Sequence, residues 1–321
     1  MRIVILDGYT LNPGDLSWDE LKVFGDLGIH DSTPDDKILE RARGAQTVIT
    51  NKTPLRAETL DALPDLRCIC VLATGYDVVD IAAARARGIP VCNTPAYGVD
   101  SVAQHVFALL LELCRNVVRH DASVRDGEWD RRGEFCYWLS PQMELTGKVM
   151  GIVGFGNNGR RVGELAHAFG MEVLAHEPKP DALAPGYAPF SFVGLDELFA
   201  RSHVISLHCP LTDASRALVN AQRLASMHKG GLLINTGRGP LLDEAAVAQA
   251  LHSGQLGGLG TDVLAVEPPQ AGNPLLTSPN TYITPHIAWA SVRARRNIIS
   301  ITAANLHAFV DGRPQNVVNP I

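Results

Sequence analysis

The sequence predicts an α/β protein of two doubly wound, parallel-sheet lobes with a cleft between them. Three observations predict it. Short apolar runs alternate with helix-spaced segments along nearly the whole chain, the pattern of βα units. The alternation is interrupted once, near residue 99, and then resumes. At 321 residues the chain is long for one core and comfortable for two.

The first lobe is expected over 1–98. Its strands are predicted at 2–6, Thr47-Val48-Ile49, Cys68-Ile69-Cys70-Val71-Leu72 and Ile89-Pro90-Val91. Helical patterns lie between them at 36–44, 56–63 and 79–87, the last closed by Gly88. Cys68 and Cys70, two apart in a strand, share a face and read as small core groups. A long helix is predicted over 99–119. Val102, Val106, Leu109, Leu110, Leu113 and Val117 recur at helical spacing, and Asp100 or Ser101 is available as a cap. It precedes a polar stretch, 120–135, and is expected to bridge the lobes. The second lobe, 99–290, repeats the rhythm with six apolar runs, at 149–153, 172–175, 204–207, 231–234, 258–263 and 281–284. A last helix over 291–311 is expected to cross back, so that 291–321 completes the first lobe.

The second lobe opens with Gly154-Phe155-Gly156-Asn157-Asn158-Gly159, between a strand and a helix. In such a loop the first glycine permits the tight turn and the second lets backbone approach a pyrophosphate. The third lets the helix pack close to the strand. The helix N-terminus then presents free N–H groups and its positive dipole end to the phosphates. The following apolar run, Val173-Leu174-Ala175, ends at Glu177, whose carboxylate can accept from both hydroxyls of an adenosine ribose. This unit is therefore predicted to be Rossmann-like, with NAD as its cofactor. His176 and Lys179 flank that position and are expected to blunt the preference over NADP.

With 28 basic and 34 acidic residues the net charge is −6, which argues against a nucleic-acid surface or an anionic membrane as partner. The N-terminal apolar run is too short for a signal peptide, and no run reaches membrane-spanning length. A cytoplasmic location is the expectation. The six cysteines show neither Cys-x-x-Cys nor disulfide-like spacing, and no metal is expected.

The chemistry is predicted at the carboxyl ends of the later strands, where ligands bind in open α/β sheets. Arg238, in Asn235-Thr236-Gly237-Arg238-Gly239, follows one strand; Asp262 closes the next, and Glu267 follows shortly after; His286, in Thr284-Pro285-His286, closes the last. Reduction of a carbonyl needs a proton donor, and His286 is the natural one. Glu267 would orient its ring and favour the protonated form. Arg238 offers a planar fork for a carboxylate. Asp262 is a candidate to hold a nicotinamide carboxamide.

Beyond these residues, Ala73-Thr74-Gly75-Tyr76-Asp77-Val78-Val79-Asp80, Leu207-His208-Cys209-Pro210-Leu211-Thr212 and the run from Asp262 to Pro268 stand out. Together with the glycine loop and the Arg238 and His286 motifs, they resemble the D-isomer-specific 2-hydroxyacid dehydrogenase family over nearly the whole chain. The resemblance implies a catalytic triad at Arg238, Glu267 and His286. It implies cofactor contacts at Gly154, Gly156, Asn157, Asn158, Gly159, Glu177, Cys209, Pro210, Thr236 and Asp262. It implies a carboxylate-binding loop at Ala73, Thr74 and Gly75, with Lys52 and Arg238 as further substrate contacts. The family's ribose-binding acid is usually Asp and is Glu177 here. Within the family, Asn93 to Gly98, Ser101-Val102-Ala103-Gln104-His105, Phe135 to Trp138 and His286 to Ala290 resemble members that reduce hydroxypyruvate and glyoxylate. The implied reaction is 2-keto acid + NADH + H⁺ giving D-2-hydroxy acid + NAD⁺, in a homodimer built through the cofactor lobes, with helix 99–119 supplying apolar surface. Trp138 and Trp289 are candidates to wall the pocket. The rival readings are an NADH-sensing regulatory binding protein on the same fold and a phosphite dehydrogenase. Formate dehydrogenase relatives pair their His with Gln, and Glu267 argues against them.

Overall fold

The computed structural model describes residues 1–178 and 184–320, so Lys179 lies outside the described residues. The chain divides into two compact units, 1–98 with the residues from Ala290 onward, and Val99–Trp289.

The first unit has a five-stranded sheet. Its strands are β1 (Arg2–Ile5), β2 (Asp26–Ile29), β3 (Thr47–Thr50), β4 (Cys68–Val71) and β5 (Val91–Cys92), in the order β2-β1-β3-β4-β5. All neighbours pair in parallel. β3 and β4 are buried along their length, as a parallel sheet covered on both faces requires. Cys68, Cys70 and Cys92 are all buried there as free thiols. Strand β2, Asp-Leu-Gly-Ile, carries no apolar pattern because it is a half-exposed edge.

In the second unit seven strands replace the expected six. They are β6 (Val149–Val153), β7 (Glu172–His176), β8 (Phe190–Phe192), β9 (Val204–Leu207), β10 (Gly231–Asn235), β11 (Leu256–Thr261) and β12 (Thr281–Ile283). The order is β12-β11-β10-β9-β6-β7-β8, again all parallel. The unexpected strand, β8, is a three-residue edge too short for a periodic signal. Sheet side chains feed two cores: Met150, Ile152, Leu232 and Ile234 face one, and Val153, Leu233 and Leu259 the other. The order reverses between β6 and β9, and the loops leaving these two strands are neighbours at the switch point.

Helix α1 (Val99–Arg115) opens the second unit and lies wholly within it. Asp100 and Ser101 fall inside its first turn, so neither is the cap. It stops short of 119 because Asn116 adopts a left-handed φ of 48°, and a second helix, Val117–Arg125, leaves at 55°. The apolar face of α1 is consumed by the unit's own core, through Ala103, Val106, Phe107, Leu109 and Leu110. That face is therefore spent within the unit. In the segment after it the exposed large apolar groups are Val117, Val118, Val124, Trp129, Phe135 and Trp138. No single helix among the described residues is long and apolar enough to cross a membrane; α1 and Val117–Arg125 reach that length and apolarity only as a bent pair.

Helix α2 (Asn157–Ala168) follows β6, and α3 (Val292–Val310) returns to the first unit. Arg295 of α3 grips Asp15 with both guanidinium arms, at 2.7 and 2.6 Å, and donates to the Leu11 carbonyl. The Arg295 guanidinium holds the Asp15 carboxyl below its ordinary range. Beyond α3, Asn316 and Asn319 hydrogen-bond the backbone at 89–93, so the C-terminal segment flanks the β5 edge.

Candidate active site

The glycine loop is built around close approaches. Gly154 has φ +90°, and a Cβ there would stand 2.5 Å from the Cys209 amide nitrogen. The first glycine is thus pressed against the loop leaving β9, which brings Gly154 and Cys209 together. A Cβ on Gly159 would stand 2.1 Å from the Gly154 carbonyl oxygen, so α2 starts directly on the turn. A Cβ on Gly156 would meet nothing within 4 Å, so that position faces open space. Gly156 also precedes α2 with no side chain capping its first N–H groups, leaving Asn157 and Asn158 at an uncapped helix start. Glu177, half-buried at the end of β7, accepts from the Phe155 amide at 3.0 Å, which ties the acid to the loop. The neighbouring His176 is turned to the Val193 carbonyl at 3.1 Å.

Two further observations concern the same sheet edge. The Thr236 hydroxyl is buried with no hydrogen-bond partner among the described residues, an orphan group that a ligand would satisfy. Burial pushes the Cys209 thiol up to about 11, so it is a neutral, weakly polar wall. Pro210 is exposed beside it, its carbonyl engaged by the Ser215 hydroxyl. Space at Gly156, open N–H groups on α2, the acid on β7 and the orphan hydroxyl together fit a dinucleotide.

The triad residues sit on three loops that hold one another. The Glu267 carboxylate stands 2.6 Å from Nδ1 of His286, and its other oxygen accepts from the Leu264 amide at 3.0 Å. The pair is about one-third exposed. Nε2 is then the imidazole nitrogen left to face a substrate. His286 adopts φ +57°, a left-handed conformation that costs a non-glycine residue about 1–3 kcal/mol unless its surroundings impose it. The surroundings do impose it. The His286 amide donates to the carbonyls of Asp262 and Thr284, and its own carbonyl accepts from the Trp289 indole at 2.8 Å.

Arg238 is exposed beyond β10, and the side chain of Asn235 shapes its turn. Asn235 Oδ1 accepts from the Gly237 amide and Nδ2 donates to the Arg238 carbonyl, both at 3.0 Å. The Arg238 guanidinium donates to the Gly237 carbonyl at 2.9 Å. A Cβ on Gly239 would stand 1.9 Å from the Leu264 carbonyl carbon, so backbone of the Arg238 turn rests on the loop leading to Glu267. Glu244 steadies that loop, accepting from the Ala265 amide at 2.8 Å and the Asn273 amide group at 3.0 Å.

Asp262 is deployed differently from the expectation. It is 1% exposed, and its carboxylate accepts from the Thr284 hydroxyl at 2.6 Å and from the Ile287 and Ala288 amides at 2.8 Å each. Its observed work is to hold the His286 loop. Trp289 likewise braces that loop, and Trp138 is exposed. Asn235, Gly239, Glu244 and Thr284 were not foreseen as site residues; the Asn-x-Gly turn after β10 was the one local signal available.

In the first unit, the carbonyls of Ala73 and Thr74 accept from the Thr94 amide and the Asn93 side chain. The amides of Thr74 and Gly75 have no acceptor among the described residues. Lys52 is exposed, in a turn whose amides at Asn51, Lys52 and Thr53 converge on the buried Asp7 carboxylate.

Comparison with known proteins gives this arrangement its context. Residues 107–288 match the family model for D-isomer specific 2-hydroxyacid dehydrogenase, NAD binding domain. The chain is 44% identical over 323 residues to a hydroxypyruvate reductase of Blautia hydrogenotrophica, covering 99% of this chain and 100% of that protein. It is 44% identical over 288 residues to a glycerate dehydrogenase of Methylorubrum extorquens, covering 89% of each. Among solved structures, the TT0316 protein of Thermus thermophilus superposes with a TM-score of 0.88 at 36% identity, covering 99% of this chain and 100% of that one.

Proposed function

Because the chain belongs to the D-isomer-specific 2-hydroxyacid dehydrogenase family and is an NAD-linked 2-hydroxyacid oxidoreductase, we propose that hydroxypyruvate and glyoxylate are its substrates and D-glycerate its principal product. The observation that carries the mechanism is the 2.6 Å contact between His286 and Glu267. NADH, when bound, supplies the hydride.

The protein's own groups do the rest. Gly154, Gly156, Asn157, Asn158 and Gly159 with the start of α2 would take the pyrophosphate, and Glu177 the adenosine ribose. Thr236, Cys209 and Pro210 would line the remainder of the cofactor site, while Asp262 is spent on the His286 loop. Arg238 would grip the substrate carboxylate with its fork and polarise the carbonyl. The amides of Thr74 and Gly75 offer the same carboxylate chemistry, with Lys52 as a further cation. Nε2 of His286 would give its proton to the developing alkoxide, and Glu267 would stabilise the imidazolium beforehand.

The same reading makes the protein cytoplasmic and homodimeric. Its cysteines are free thiols, which suits a reducing compartment. The exposed Phe135 and Trp138, in the segment after α1, offer apolar surface for a second copy. Phe135→Asp would shift the mass in solution from dimer to monomer, and an unchanged mass would remove that segment from the interface.

A panel of keto acids, followed by NADH absorbance, tests the substrate. Hydroxypyruvate should give the highest kcat/KM, with glyoxylate next. Turnover of phosphite with NAD⁺ but of no keto acid would replace this reading with the phosphite one. Binding of NADH without turnover at micromolar protein would replace it with the regulatory one.

A further inference from the structure

One helix face, unused by the mechanism above, is tied to the loop that carries His286. Ser101 and His105 lie one turn apart on α1, on the same side of the helix. The Ser101 hydroxyl donates to the Ala288 carbonyl at 2.7 Å. Nε2 of His105 lies 2.9 Å from the Thr284 hydroxyl. That hydroxyl in turn lies 2.6 Å from Asp262 Oδ1, which accepts only. Thr284 has one proton, and it goes to the carboxylate. Thr284 therefore accepts from His105, which must carry its proton on Nε2. Asp262 then holds the amides of Ile287 and Ala288, the two residues that follow His286.

We propose that Ser101 and His105 are positioning residues for His286, clamping the 284–288 loop at both ends, with His105 acting through Thr284 and Asp262. Neither side chain needs to reach a substrate. The clamp is suited to the task because α1 is anchored in the core through Ala103, Val106 and Phe107, whereas the loop is held in a left-handed conformation at His286. A chain of bonds from a rigid helix keeps that conformation from relaxing and fixes where the imidazole points. Helix α1, the end of β11 and the loop after β12 belong to one compact unit, so the network is internal to it.

The inference rests on the role proposed for His286, and the test separates the two. His105→Ala should lower kcat for hydroxypyruvate reduction by about 10- to 100-fold, as misplacement of a catalytic group does. The Kd for NADH and the melting temperature should stay close to the parent. His105→Gln, which restores an Nε2 donor at similar reach, should recover most of the loss. Thr284→Val, of equal shape without the hydroxyl, should reproduce the loss, and His105→Ala with Thr284→Val should be no worse than either alone. Unchanged kcat in His105→Ala, a loss confined to NADH binding or to melting temperature, or additive losses in the double variant would each overturn the clamp. Should His105→Ala not fold, Thr284→Val with the same readouts decides. If His286→Ala itself keeps full activity, the role proposed for His286 fails first. If His286→Ala is inactive while His105→Ala and Thr284→Val are not impaired, only this inference fails.

Discussion

Glu267 and His286 are 19 residues apart in sequence and 2.6 Å apart through Oε2 and Nδ1. The contact is made at Nδ1, so the carboxylate both selects which nitrogen faces outward and sets the plane of the ring. His286→Ala should lower kcat for keto-acid reduction by about 10²–10⁴-fold, with the Kd for NADH little changed. Glu267 holds the ring through Nδ1 and so fixes where Nε2 points. Glu267→Gln should therefore lower kcat for reduction by about 10- to 100-fold, with the Kd for NADH little changed. A Glu267→Gln kcat equal to the parent's would remove Glu267 from that role.

Arg238 presents its guanidinium from an exposed turn that Asn235 shapes. A planar fork can bind a carboxylate with two parallel hydrogen bonds, each contributing about 1.5–3 kcal/mol. Hydroxypyruvate should be reduced far better than the neutral ketone dihydroxyacetone. Arg238→Lys should remain impaired because an ammonium is a point charge. Near-parental kcat/KM for Arg238→Lys on hydroxypyruvate would shift the carboxylate contact elsewhere, with Lys52 the next position to test.

Glu177 is held to the glycine loop by the Phe155 amide, and His176 is turned to the Val193 carbonyl. The carboxylate would repel a 2′-phosphate and accept from a 2′-hydroxyl. The preference for NADH over NADPH should be at least about tenfold in kcat/KM, which about 1.4 kcal/mol produces. Glu177→Ala should erode it. Equal rates with both cofactors in the parent protein would contradict the assignment.

Gly239 is the point where the Arg238 turn rests on the Leu264 backbone. Gly239→Ala inserts a methyl group where backbone already stands, so one loop must move. The loss in kcat should be about 10- to 100-fold, larger than any change in the Kd for NADH. Parental kinetics in this variant would mean that the two loops need not touch for catalysis.

His208, just past β9, has its ring desolvated and its pKa pushed down to about 4. The Ser206 hydroxyl sits 2.8 Å from its Nε2. In the unfolded chain a histidine takes its proton near pH 6.5. Between about 6.5 and 4 the unfolded state binds more protons at this residue, so its contribution to stability should fall as pH drops through that window and level off below it. Melting temperatures across this range should show the fall, and His208→Gln should flatten it. An identical pH slope in His208→Gln would assign the acid sensitivity to other groups.

The order of apolar runs, the glycine loop, the acid at Glu177 and the strand-end placement of Arg238, Asp262, Glu267 and His286 were all legible in the sequence. These features are local: steric limits on glycine, alternation of buried and solvated positions, and helix periodicity are written within a few residues of one another. The edge strands β2 and β8 were not legible, because a short, half-exposed strand has no apolar pattern to show. Nor was the break of α1 at Asn116, where the chain takes a left-handed turn within an otherwise helical pattern. Only the tertiary structure decided what the strand-end residues touch. Asp262 reads as a polar group open to a ligand, but the packed loop after β12 turns both its oxygens inward. His105 reads as one more helical position, but parallel pairing of β11 with β12 carries Thr284 to within 2.9 Å of it. Such contacts depend on the order and register of strands far apart in sequence. That order follows from how whole sheets bury their two faces, which no local pattern contains.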